Sequence, residues 1–405
     1  MRNMIPIHEA FQVIDEKMPK LSTEFVSLED SLHRVLAEDI KADSDLPPFD
    51  RSQMDGFAIR ADDTKMAPAR LKLIGQSIAG KGFDGEVKPG EAVKIMTGAR
   101  VPKGADAVQK LELAREINGF VEILEPASPR QNIVAMGEEI KEGTKIFSAG
   151  ELITEHMIPT LAAFGYAHVK VFRQPKIWIL STGTELVEIH EKPNKDQIRN
   201  SNSIMLKVFL KNIALNATIL RNIADDEKLL AETIHQEVIS EDSEGKVLIT
   251  TGGVSVGEYD FTKSALRSLG AEIFFEKVSI KPGKPTVFAK LKDCFVFGLP
   301  GNPVSAAVTF YLFARRAILR MQGANRCDLE DGFAIVTKKI KSTKERDSVL
   351  PAFVSTDEKG QMKIESLRFA GSSNFIEFAR ANSLVYVPKG KDLHEGETAK
   401  IWFLR

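Results

Sequence analysis

Cysteine is nearly absent from this chain: of 405 residues only Cys294 and Cys327 carry a thiol, and neither belongs to a CxxC pair. A disulfide framework and a structural zinc site are thereby excluded, and a reducing, cytosolic setting is expected. Charge of one sign is also lacking. The balance of 55 Lys and Arg against 56 Asp and Glu leaves a net charge of −1. No whole-chain basic field exists to favour nucleic acid or an anionic membrane. The seven histidines, at 8, 33, 156, 168, 190, 235 and 394, show no metal-ligand spacing. Histidine-based chemistry is not expected. Internal repeats, low-complexity tracts and a secretory h-region near the start are missing too. One stretch, Cys294 to Ala314, runs uncharged for a length that can span a bilayer. Its centre holds Gly298, Pro300, Gly301, Asn302 and Pro303. A buried strand, a loop and a buried helix explain it better than a spanning helix.

What is present is a multidomain pattern. A chain of this length exceeds the ~250–300 residues at which single cores stop growing. Residues 7–40 read as helical, with Ile7, Ala10, Phe11, Ile14 and Met18, then Leu28, Leu32, Val35 and Leu36, at helical spacing. Short alternating runs with glycine and proline turns follow from about 47 to 140, a β-rich module. A helix over about 154–164 and a short strand then return the chain to its beginning, which makes the β-rich module an insertion. From Pro175 strand and helix alternate, which argues for an α/β domain with a mainly parallel sheet. The tail reads as short strands: FAIVTKKI, SVLPAFVS, MKIESL, SLVYVP and TAKIWFL. The division expected is 1–46 with 141–174, 47–140, 175–326, and 327–405.

The densest chemical signal lies between Lys246 and Arg315. KVLITTGG (246–253) and CFVFGLPGNP (294–303) each run from an apolar strand into a glycine turn and then a helix. That order aims backbone N–H groups at an anion. Between them the loop VSIKPGKPTVF carries Lys281 and Lys284, with Lys277 just before it. In an open α/β sheet ligands bind beyond the carboxyl ends of the strands. The loops at Ser181–Glu185, Thr250–Ser255 and Gly298–Pro303 fall there, and Asp225 and Asp226 belong on the same side. Glu185, Asp225 and Asp260 can then converge as oxygen ligands for Mg²⁺ beside phosphates, with the lysines offsetting the charge. Each part alone has a plainer reading. Gly252-Gly253 is a turn, Asp225-Asp226 a helix cap, KPGKP a solvated loop, and Asp55-Gly56 a hairpin turn.

Taken together the segments PPFDRSQMDGFAIR (47–60), IMTGARVPKGADAV (95–108), GEEIKEG (137–143), ILSTGTELVE (179–188), QIRNSNS (197–203), TGGVSVGEYD (251–260), IKPGKP (280–285) and GLPGNPVSA (298–306) resemble the molybdopterin molybdotransferases. These are the MoeA-type proteins related to the gephyrin E domain, and the match runs in order along nearly the whole chain. The resemblance implies a four-part subunit: a helical N-terminal region, a β-rich inserted module, a MogA-like α/β domain and a small C-terminal β-barrel-like domain. It implies a homodimer in which the α/β domain of one subunit faces the inserted module of the other. It implies Mg²⁺-dependent cleavage of adenylylated molybdopterin, made by an upstream adenylyltransferase, with molybdate inserted into the dithiolene and AMP released. Catalytic positions would be Asp55, Thr97, Glu185, Asp225 and Asp260, the last three holding the metal. Substrate would meet Gly252, Gly253, Ser255, Lys277, Lys281, Lys284, Pro300, Pro303 and Ser372. The chain departs from the family pattern at Val134, where arginine is common, at Glu139 and Thr184, each in place of Asp, and near Pro351. Two other readings use the same residues: a catalytically weak cofactor-binding scaffold of this fold, and a plain Mg-dependent phosphoanhydride hydrolase.

Overall fold

The computed structural model describes residues 4–253, 261–367 and 374–404. The chain forms two compact units, one of residues 1–38, 150–158 and 168–405, the other of residues 39–149 and 159–167.

The first unit is built on a six-stranded sheet with helices on both faces. Its elements are α1 (Ile7–Lys17), β1 (Lys176–Ser181), α2 (Ser201–Lys211), β2 (Ala217–Ile219), α3 (Glu227–Ile234), β3 (Lys246–Thr251), α4 (Phe261–Ser268), β4 (Glu272–Phe275), β5 (Val287–Leu291), β6 (Cys294–Leu299) and α5 (Pro303–Thr309). Strand order is β2-β1-β3-β6-β5-β4. The first four strands are parallel, and the hairpin β5–β6 and the edge strand β4 add antiparallel pairs. Parallel strands buried on both faces read as unbroken apolar runs, which is why KIWILS, KVLITT and CFVFGL lack alternation. Within β1, Ile177 and Ile179 join the core shared with Ile14 of α1, Leu206 of α2 and Val304 of α5. Trp178 and Leu180 join the opposite core with Leu230 of α3 and Leu266 of α4. The uncharged stretch from Cys294 is β6, a loop and α5, as its prolines and glycines require. No helix among the described residues is long and apolar enough to cross a membrane.

The five tail strands form, at Asp331–Val336, Asp347–Thr356, Met362–Ser366, Ser383–Val387 and Thr398–Phe403. The long second strand pairs with both the third and the fourth, which closes a small barrel. Ile280–Lys281 adds to it, parallel to Asp347–Ser348.

One expectation fails. Residues 7–17 are helical, but 28–36 are not. Thr23–Ser27 is a strand paired antiparallel with His168–Phe172. After it come a single helical turn at Glu29–Ser31, His33 at positive φ (62°), and bridges from Val35 to Leu152 and Leu36 to Val171. The apolar spacing of Leu28, Leu32, Val35 and Leu36 reflects burial in an irregular segment whose backbone groups pair with distant strands. The helix expected over 154–164 is shorter, at Ile158–Ala163.

The second unit carries a six-stranded sheet in the order Ala107–Lys110, Gly56–Ile59, Glu91–Ile95, Ala69–Ser77, Phe120–Ile123, Ala114–Ile117. The last two strands form a hairpin about Asn118-Gly119, both at positive φ, the conformation a two-residue loop demands.

Candidate functional site

Strand β2 lies on one side of β1 and β3 on the other. The connections from β1 and β3 therefore run on toward opposite edges of the sheet, and a crevice opens at the carboxyl ends of the two strands. It is a cavity of about 900 Å³. Three glycine-bearing loops wall it: Thr182-Gly183 after β1, Gly252-Gly253 after β3, and Pro300-Gly301 after β6. Glycine at 252 is a geometric requirement. Its φ is +93°, and a Cβ there would lie 2.2 Å from the Thr182 carbonyl oxygen. Gly253 is also at positive φ, and a Cβ would meet Thr182 Oγ1 at 2.8 Å. The β3 turn thus lies directly on the β1 loop.

Asn202, in the first turn of α2, ties these loops together. Its Nδ2 donates to Thr251 Oγ1 (2.9 Å) and to the Gly301 carbonyl (2.7 Å), and Thr251 Oγ1 donates to the Pro300 carbonyl (3.1 Å). Asn200 caps α2 by accepting from the Ser203 N–H. Two buried polar atoms on residues lining the cavity, Thr182 Oγ1 and Asn202 Oδ1, have no hydrogen-bond partner among the described residues. Orphaned polar atoms of this kind mark a site made for polar company. The sequence marks the loops at 181–185, 250–255 and 298–303 as strand-end loops and QIRNSNS as part of the family resemblance, but not the bonds that join them. Thr182, Thr251 and Asn202 carry no separate signal, because their role arises from contacts across the sheet.

Glu185 and Asp225 both line the cavity, and both are exposed. The Glu185 carboxylate folds back over Gly183, where a Cβ would lie 2.7 Å from Oε2. Asp225 and Asp226 divide their duties. Asp226 is the N-cap of α3, accepting from the Leu229 N–H at 2.9 Å, while Asp225 faces the cavity and its N–H reaches Thr184 Oγ1 at 3.4 Å. Two exposed carboxylates lining one cavity fit a hard divalent cation that keeps most of its water. Among the described residues no group of three His, Cys, Asp or Glu side chains is gathered for a metal. Asp260, the third expected ligand, lies outside the described residues, as do Ser255 and Ser372.

Pro300 and Pro303 are in the cavity wall. Lys277, Lys281 and Lys284 are not among the residues that line it, and of the KPGKP loop only Pro285 is. Lys281 lies on the short strand added to the barrel. The loop is no loosely solvated turn. Val278 and Thr286 both donate to the Lys284 carbonyl, and Gly283, at φ +108°, packs so close to α5 that a Cβ would lie 2.4 Å from Thr309 Cγ2.

In the second unit Asp55 and Thr97 meet. Asp55 precedes strand Gly56–Ile59, Thr97 follows strand Glu91–Ile95, and the antiparallel register sets Gly56 opposite Ile95. The Asp55 carboxylate Oδ1 accepts from the Thr97 N–H at 2.6 Å and from Thr97 Oγ1 at 2.7 Å. Those two bonds hold its pKa below the ordinary aspartate value, the backbone N–H contributing most. Asp55-Gly56 is no hairpin turn. Gly56 begins a strand, and a Cβ on it would lie 2.0 Å from the Gln109 carbonyl oxygen. Nearby, Val134 is paired across a two-residue ladder with Arg51, and Arg51 Nη2 contacts Glu139 Oε1 at 3.3 Å.

Residues 5–165 match the model of the MoeA N-terminal region (domain I and II), 178–320 that of a probable molybdopterin binding domain, and 334–404 that of the MoeA C-terminal region (domain IV). The chain is 36% identical to a molybdopterin molybdenumtransferase of Haemophilus influenzae, over 98% of each chain. It belongs to the MoeA family of molybdopterin molybdenumtransferases. A Bacillus subtilis member is also 36% identical, over 100% of this chain and 95% of its own length. The crystal structure of the molybdopterin biosynthesis MoeA protein from Pyrococcus horikoshii OT3 superimposes with a TM-score of 0.83 at 30% identity, covering 99% of this chain and 100% of that one. MoeA proteins are transferases of molybdenum cofactor biosynthesis, and the cavity described above lies in the region matched to the molybdopterin-binding model.

Proposed function

We propose that this chain binds adenylylated molybdopterin in the cavity beyond β1, β3 and β6, cleaves its phosphoanhydride and inserts molybdate into the dithiolene, releasing AMP. The observation that carries the reading is the shared wall of glycine turns and carboxylates. Gly252, Gly253, Glu185 and Asp225 surround one space large enough for a dinucleotide-sized ligand. Backbone N–H groups at the turns suit phosphoryl oxygens. Glu185, Asp225 and Asp260 would hold Mg²⁺ or a similar hard cation, which neutralises phosphoryl charge when bound. Lys277, Lys281, Lys284, Ser255 and Ser372 would recruit phosphate and molybdate, and Pro300 and Pro303 would shape the wall. Asp55, fixed as an anion by Thr97, would act at the same reaction centre from the second subunit of a homodimer. We take 1–46 with 141–174, 47–140, 175–326 and 327–405 as its four domains. A molybdopterin adenylyltransferase would act upstream, and the two unpaired, buried cysteines suit the cytoplasm.

The deciding experiment incubates the protein with adenylylated molybdopterin, Mg²⁺ and molybdate, and follows AMP and active cofactor. AMP release that depends on Mg²⁺ and yields active cofactor is expected. No AMP release would leave a scaffold, and release independent of molybdate without active cofactor would leave a simple hydrolase.

A further inference from the structure

The cavity lining includes apolar residues that phosphate and metal chemistry leave unused. Pro285, Pro300 and Pro303 line it, and so does Phe375, which reaches it from the short helix Phe375–Phe378. Phe375 is 53% exposed and is not among the residues packed into the core, whereas Phe378 of the same helix turn is packed there. A large aromatic side chain left open to water at the wall of a cavity is not placed for folding. It offers a flat, apolar face to whatever enters. The same cavity is lined by the glycine turns at 183, 252 and 253, the two carboxylates, and Thr182 and Asn202 with their orphaned atoms. One cavity thus offers both polar groups that suit a charged group and an open aromatic face that suits a flat one, and a ligand that satisfies both carries an anion joined to a planar ring.

We propose that Phe375 is a specificity-determining residue that stacks on the planar heterocycle of the substrate. The proposal deepens the reading of the cavity as the adenylylated molybdopterin site and rests on it. Two rings of that substrate have the required chemistry, the adenine and the pterin, and the phosphates between them do not.

The test measures binding to the full-length protein by calorimetry, with AMP, a 6-substituted pterin phosphate and inorganic pyrophosphate as three separate probes. Phe375→Ala is expected to weaken the ring that stacks there on the order of tenfold, the size of one lost aromatic stack. Phe375→Trp is expected to restore it, and pyrophosphate is expected to bind all three proteins alike. Whichever ring loses affinity identifies the occupant. Equal loss for pyrophosphate, or no loss for either ring, overturns the proposal. So does a change of oligomeric mass in Phe375→Ala by light scattering, since the exposed ring would then belong to a subunit contact. Wild-type protein that releases AMP from adenylylated molybdopterin yet shows no Phe375 effect would sink the stacking role alone. Wild-type protein that binds none of the probes would sink the reading of the cavity.

Discussion

Asp55 shows how far single residues can be read. Its exposed carboxylate accepts two hydrogen bonds from Thr97, the backbone N–H first and the hydroxyl second, and both favour the ionised form and lower its pKa. A depressed folded-state pKa contributes stability above the ordinary aspartate range and loses it as pH falls through the lower folded value. The carboxylate is therefore ionised across the whole working range. Carboxyl carbon NMR titration should place the Asp55 midpoint below that of a free aspartate, and Thr97→Val should move it upward. An unchanged midpoint in Thr97→Val would remove the Thr97 hydroxyl as a cause and leave the shift to the Thr97 backbone N–H. Arg51 makes a second case. Sequence shows only that Val134 lacks a guanidinium common in the family. The ladder puts Arg51 directly opposite Val134, on the same face and beside Glu139. The positive charge is present one strand away. Arg51→Gln is expected to raise the KM for molybdate roughly fivefold to tenfold, the worth of one charge-assisted contact, with melting temperature nearly unchanged. An unchanged KM would place Arg51 outside anion capture.

Elements were legible where periodicity and turn chemistry agreed. The apolar runs of β1, β3 and β6, the glycines that end them and the five barrel strands all announce themselves in sequence, because a buried parallel strand and a barrel strand each impose a pattern. The segment 28–36 did not, because its apolar spacing mimics a helix while its hydrogen bonds go to strands more than a hundred residues away. The same limit hid Asn202, whose importance lies in two hydrogen bonds to loops 49 and 99 residues distant. It also hid the destination of KPGKP, since nothing local in IKPGKP says that Ile280–Lys281 will join the barrel. The β3 turn gives the element-scale prediction. Gly252→Ala adds a Cβ 2.2 Å from a backbone oxygen at a φ that alanine resists. It should cost roughly 1–3 kcal/mol in denaturant unfolding and abolish AMP binding. Wild-type stability together with wild-type binding would mean that the turn is not held by the β1 loop.

At the scale of the molecule two sets of site residues must cooperate. Asp55 and Thr97 belong to one compact unit, and Glu185 and Asp225 to the other. The proposed homodimer joins one subunit's Asp55 to its partner's Glu185 in each site, and symmetry then makes two such sites. Asp55→Asn and Glu185→Gln proteins should each be nearly inactive, for each damages both sites of its own dimer. When the two are mixed and allowed to exchange subunits, a heterodimer gathers both lesions into one site and leaves the other whole. Half of a random mixture is heterodimer, each with one working site of two, so about a quarter of wild-type AMP release should return. Were both acids to serve a site within a single subunit, every site in the mixture would keep a lesion and none of the activity would return. Exchange itself is followed by native mass spectrometry of differently tagged subunits, so that a silent mixture with proven exchange counts against the shared site. The outcome does not depend on how well either variant binds substrate, because the repaired site contains neither substitution.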